Sequence, residues 1–162
     1  MRVRPLWWTT TPVTGRYLGQ HEPGDSFPVS GITHDEATAI AARLAGRLPR
    51  SAEWEWMAAG SGRRRFPWGS MGWRPSRAAL LPSGHASPVP AGTHPEGATP
   101  DGVLDVAGNV WEWTASPVMG NGFVIRGGSY ASPPLYAQTT FLNAVPAELR
   151  SAGIGVRVVR DA

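Results

Sequence analysis

The chain has 162 residues, a net charge of +3 and no cysteine, which leaves room for one domain around one core and removes disulfides, thiolate metal sites and cysteine nucleophiles. Its 15 basic residues are all arginine, so Schiff-base and other lysine chemistry is excluded. Glycine at 20 and proline at 16 beside 41% apolar residues predict a folded but loop-rich protein.

The first residues, Met1 to Trp8, carry two arginines but no apolar run long enough for a leader. No stretch approaches the ~20 apolar residues of a membrane span, so the expectation is a cytoplasmic protein without a membrane partner. Thr33 followed by Glu36 makes a capping box, and Ala37, Ile40, Ala41 and Leu44 recur at helical spacing up to Gly46, which predicts a helix over about 34 to 45. Pro49 cannot continue it, while Ser51 can cap a second helix, about 52 to 59, with Glu53 and Glu55 in its first turn and Gly60 after its end.

From Ser61 to Thr99 neither helical nor strand periodicity is sustained, as in a fold built from packed loops. The only dense charge run, Arg63-Arg64-Arg65, falls here. It reads as a solvated loop, because nucleic-acid binders show a stripe of charge and a recognisable module; no nucleic-acid partner is expected. Near the C-terminus FVIRGGS at 123–129 and GVRVVR at 155–160 are β-rich and glycine-bounded, and are expected to pair with 130–152 looping out between them.

The four histidines lack metal-ligand spacing: His85 and His94 lie in an irregular loop, His34 starts a helix, and His21 sits in a Gly/Pro segment. No glycine-flanked nucleophile turn marks a Ser/His/Asp triad.

Six segments in order carry a resemblance: PVSGIT at 28–33, RLPRSAEWEW at 47–56, FPWG at 66–69, GVLDVAGNVWEW at 102–113, RGGSY at 126–130 and GIGVRV at 153–158. Together they resemble the formylglycine-generating, or sulfatase-modifying factor, family over nearly the whole chain. The resemblance implies a single domain over 1–162, an α+β fold related to C-type lectins, with two short helices and a small twisted antiparallel sheet among long loops. Trp54, Trp56, Trp111 and Trp113 are all expected to serve the core, Trp111 being the one that reaches a pocket.

The family also uses a structural calcium, and the matching positions are the Asp105 and Glu112 side chains with the Gly108 and Val110 carbonyls. An oxygen-rich loop of this kind suits a hard cation; the alternative is that Asp105 and Glu112 cap turns or pair with Arg126 or Arg157. A second family calcium site needs an asparagine that Arg77–Leu80 lacks, so none is expected there. Active members hold copper with a pair of cysteines, and those positions are Ser132 and Ala137 here. An alcohol and a methyl group cannot hold a soft Cu(I) ion, so no copper and no formylglycine-generating oxidation are expected.

The resemblance then leaves three readings. In the first, a cleft formed by Trp111, Ser129, Tyr130, Ser132, Tyr136 and Phe141 binds a peptide or small molecule in a pseudoenzyme. In the second, a cysteine-independent tailoring enzyme uses Tyr136, Ser132, Glu112 or a histidine as acid or base. In the third, an accessory subunit completes its site with a partner protein or a second copy; the early Trp7 and Trp8 either pack on it or close the core.

Overall fold

In the computed structural model residues 5–162 are described; Met1 to Arg4, part of the stretch read for a leader, lie outside them. Thr33 caps the first helix, α1 (His34–Arg43), in both directions expected: its hydroxyl accepts from Glu36 N, and the Glu36 carboxylate accepts from Thr33 N. The second helix, α2 (Ser51–Ala59), begins one residue early. Arg50, not Ser51, holds the cap position, and its backbone N–H donates to Glu53 Oε2 at 2.8 Å.

The strands are β1 (Leu6–Trp8), β2 (Trp111–Val118), β3 (Gly122–Arg126), β4 (Leu142–Pro146), β5 (Ile154–Gly155) and β6 (Val159–Asp161). They form a sheet of order β4-β3-β2-β5 and a separate antiparallel β1-β6 pair. The two C-terminal segments therefore do not pair with each other. The strand β2, hidden in the tryptophan-rich motif, stands between them: Glu112 is opposite Arg126 on one side and Gly155 on the other. The segment expected to loop out supplies β4 as an edge strand against β3. The sheet is also mixed, because β5 runs parallel to β2.

Between α2 and β2 the chain is irregular, with short 3-10 turns at Leu81–Ser83 and Pro95–Gly97, as its composition predicts. Such a loop must pack through backbone contact, and Gly97 shows how close: a Cβ there would lie 1.8 Å from the Arg77 carbonyl oxygen. No helix among the described residues is long and apolar enough to cross a membrane.

Val13, Ala37, Ala41, Trp111, Trp113, Ile125 and Val156 belong to the main core, while Trp54 and Met57 form a second cluster with Val106. Of the four paired tryptophans, Trp54, Trp111 and Trp113 are buried and Trp56 is 50% exposed. The reason is helical geometry: residues two apart on α2 point about 200° apart, so burying Trp54 turns Trp56 outward.

His34 shows how α1 is anchored. Its ring stacks on Phe123 with centroids 3.4 Å apart and meets Trp113 edge-on, and Nε2–H donates to the Thr114 carbonyl at 3.0 Å. Burial lowers its pKa below the ordinary 6.5, against the raising influence of the Thr114 bond and nearby Asp35. A histidine with a lowered folded pKa is protonated first in the unfolded chain, so its stabilisation is present above 6.5 and lost as pH falls below it. The urea midpoint is expected to drop on acidification below pH 6.5, and less steeply in His34→Gln; an unchanged slope in that variant would show that His34 does not set it.

Candidate functional site

The turn after β3 joins Ser129 to Ser132, and the segment that follows it carries Tyr136 and Phe141 to Trp111. Ser132 Oγ accepts from Ser129 N at 2.9 Å and lies 3.4 Å from Ser129 Oγ. Ala137 is buried in a cluster with Phe66, Ala78, Leu80 and Ala107. Tyr136 stacks on Phe141 at 4.2 Å, and both rings lean on Trp111 at 6.0 and 6.2 Å. Trp111 is itself buried, whereas Tyr130, Tyr136 and Phe141 are half-buried. Trp111, Tyr136 and Phe141 thus pack ring against ring and Ser129 meets Ser132, while Tyr130 is tied in through its backbone, its N–H donating to the Asn109 carbonyl at 3.0 Å. Copper does not fit this group, since the oxygen donors of Ser129, Tyr130, Ser132 and Tyr136 are all hydroxyls and no thiolate is present.

Asp105 and Glu112 flank the loop whose backbone turns through positive φ at Asp105, Gly108 and Asn109. Glu112 is fully buried and faces a buried cation: Arg157 donates to it through Nε at 3.0 and 3.1 Å and through Nη2 at 2.9 Å. Trp54 Nε1 donates to Glu112 Oε2 at 2.6 Å, the oxygen it shares with Arg157 Nε. Asp105 accepts from Gly92 N at 2.6 Å, and burial raises its pKa. A calcium ion on Glu112 would have to displace a guanidinium and an indole N–H already seated there, so the donor set does not fit calcium at that side chain. The melting temperature is expected to be the same in chelator and in millimolar calcium; a calcium-dependent rise would reinstate the ion.

Close to that loop, His94 is buried with Nδ1 lacking a hydrogen-bond partner among the described residues. Burial lowers its pKa, and Asp105 opposes the shift. Among the described residues no three His, Asp or Glu side chains converge as a metal site.

A pocket of about 550 Å³ lies between α2, the arginine run and Thr139–Thr140. The run folds there because Thr139 ties it down: its N–H donates to the Arg65 carbonyl at 2.9 Å and its hydroxyl to the Arg64 carbonyl at 2.6 Å. The sequence reading passed over this pocket, taking Arg63–Arg65 for a solvated loop and Trp56 for core. The available signal was the spacing of Trp54 and Trp56, which leaves one indole on the outer face of α2 just before the arginines.

A family model described as the sulfatase-modifying factor enzyme 1-like domain matches residues 4–162. The chain is 35% identical over 188 aligned positions to a hercynine oxygenase of Mycolicibacterium smegmatis, covering 98% of this chain and 43% of that protein. It is 36% identical over 128 positions to the inactive C-alpha-formylglycine-generating enzyme 2 of Bos taurus, covering 68% of this chain and 42% of that one. The chain therefore spans less than half the length of these relatives. The solved structure of PvdO from Pseudomonas aeruginosa superposes with a TM-score of 0.81 at 21% identity, over 98% of this chain and 81% of that chain. With its whole described length matched by the family model and its two helices and curled sheets shared with that solved fold, this chain belongs to the sulfatase-modifying factor enzyme 1-like family.

Proposed function

We propose that this chain is a ligand-binding member of its family, holding a small molecule or peptide without performing copper-thiolate oxidation. The observation that carries the reading is the state of the two positions matched to the family's cysteines. Ser132 is hydrogen-bonded to Ser129, and Ala137 is buried, with no sulfur anywhere in the chain. A relative named as an inactive formylglycine-generating enzyme indicates that the scaffold is used without that activity.

In this reading Trp111, Tyr136 and Phe141 form a self-packed wall, and Tyr130 with the exposed edges of Tyr136 and Phe141 is what the cluster can offer a ligand. A second reading, an accessory subunit of a tailoring oxygenase, draws on the likeness to the hercynine oxygenases and on a surface feature. Trp7, 69% exposed, and Tyr17 line a pocket of about 230 Å³ beside the β1-β6 pair.

Both readings meet in one assay. The purified chain, supplied with copper or iron and oxygen, is expected neither to form an aldehyde on a sulfatase-type cysteine peptide nor to consume hercynine. Turnover of either by the chain alone would replace both readings with that of an enzyme.

A further inference from the structure

The pocket of about 550 Å³ between α2 and Thr139–Thr140 is lined by Trp56, Glu55 and the three consecutive arginines 63–65. Its charge is one-sided. The one carboxylate in the lining, Glu55, is paired with the buried Arg126, which leaves Arg63, Arg64 and Arg65 unbalanced. Arg64 is fixed in place, donating through Nε to the Pro67 carbonyl at 3.2 Å and through Nη2 to the Ala58 carbonyl at 3.1 Å. Arg65 rests its guanidinium 5.4 Å over the Phe66 ring, and Arg63 has an exposed side chain on a backbone at φ 49°. Glycine occupies that left-handed region without strain, so a turn serving structure alone would favour glycine over arginine there.

Arginine differs from lysine in the donor fork it presents, which matches the paired oxygens of a phosphate or carboxylate. Trp56, half exposed in the same lining, offers an indole on which a flat ring can stack. Thr140 adds an exposed hydroxyl at the rim. The size lies within the roughly 300–1,000 Å³ of small-molecule sites.

We infer that this pocket binds a small organic anion: a phosphate or carboxylate held by Arg63 and Arg65, joined to a planar aromatic body that stacks on Trp56. The inference rests on the reading of the chain as a binding protein and names the ligand class and the place. It puts the ligand in a lining that includes neither Ser132 nor Ala137, the positions matched to the family's cysteines.

The test is calorimetric titration of the intact chain with phenyl phosphate, benzoate, inorganic phosphate and phenol. One of the two aromatic anions is expected to saturate at one site per chain, and which one does so identifies the oxyanion. Inorganic phosphate should bind more weakly, and phenol should show no saturation. Arg65→Gln and Trp56→Ala are each expected to weaken binding about tenfold, the loss of one charge-assisted contact or one stacking face, while Trp56→Phe retains most of it. These side chains are exposed, so melting temperatures near wild type confirm that the variants fold.

Saturable binding unaffected by Arg65→Gln and Trp56→Ala would overturn the assignment while leaving a binding protein in place. Failure of both aromatic anions to saturate, or stronger binding of a single-stranded oligonucleotide, would overturn it too. Turnover in the aldehyde or hercynine assay is a separate result and strikes the functional reading instead.

Discussion

Replacing Arg157 with leucine is expected to destabilise the protein by about 3–5 kcal/mol, the cost of leaving one half of a buried ion pair uncompensated. Neither partner has any side-chain exposure, so water cannot take over for the lost guanidinium. Arg157 also does more than neutralise Glu112: Nη1 donates to the Thr9 and Thr10 carbonyls at 2.9 and 3.1 Å, and Nη2 donates to the Leu104 carbonyl at 2.7 Å. One guanidinium thereby fastens the N-terminal loop and the loop before β2 to the strand that carries Glu112. Unfolding in urea should show the loss as a shifted midpoint with little change in slope. The replacement Glu112→Leu on its own leaves the opposite charge stranded and should cost a comparable amount. The double replacement should cost less than the sum of the two, because neither charge then remains buried alone. An Arg157→Leu protein that loses under about 1 kcal/mol would place the pair in the range of surface bridges and contradict the burial on which the argument stands.

That pair also marks where sequence reasoning stopped. The loop motif put Asp105 and Glu112 close together, and the fold does so, but spacing along a chain does not reveal which neighbour a carboxylate faces. Arg157 lies 45 residues away in sequence, and its approach depends on β5 lying parallel to β2, a non-local pairing that no local pattern encodes. Where the signal was local it was readable: the Thr33 and Glu36 capping box and the apolar stripe of α1 are determined within one helix. The strand β2 was hidden because its first residues, Trp111 to Thr114, are all buried. A strand covered on both faces shows no alternation of apolar and polar residues. At Ser132 and Ala137 the absence of sulfur was legible in residue type alone, whereas the self-packing of Tyr136, Phe141 and Trp111 needed the turn geometry between β3 and β4. The pocket beside Trp56 was missed because a charge run and a tryptophan were assigned separately, and only the return of Thr139 onto the arginine run joins them.

The tryptophans allow that distinction to be measured. Trp113→Ala is expected to cost about 3–5 kcal/mol, in the range of large aromatic deletions from a core. Its indole is fully buried, it belongs to the main apolar cluster, and its Nε1 donates to the Ile32 carbonyl at 3.0 Å. Deleting it opens a cavity between α1 and the sheet and leaves that carbonyl without its donor, and it removes the edge contact to His34 at 5.5 Å. Trp56→Ala should instead stay within about 0.5 kcal/mol of wild type, as for a surface residue outside the core, although both residues occupy the second tryptophan of a Trp-Glu-Trp triplet. The same triplet is read with two different periods. On α2 a step of two turns the second indole to the opposite side, whereas on β2 it returns the second indole to the first one's face. In a strand buried on both sides, the glutamate between the two tryptophans must then find a charge partner inside the protein, and Arg157 is that partner. Equal losses from the two substitutions, measured as urea midpoints at fixed slope, would mean that the outward face of α2 is covered by something in solution, and that the pocket beside it is not open to a ligand.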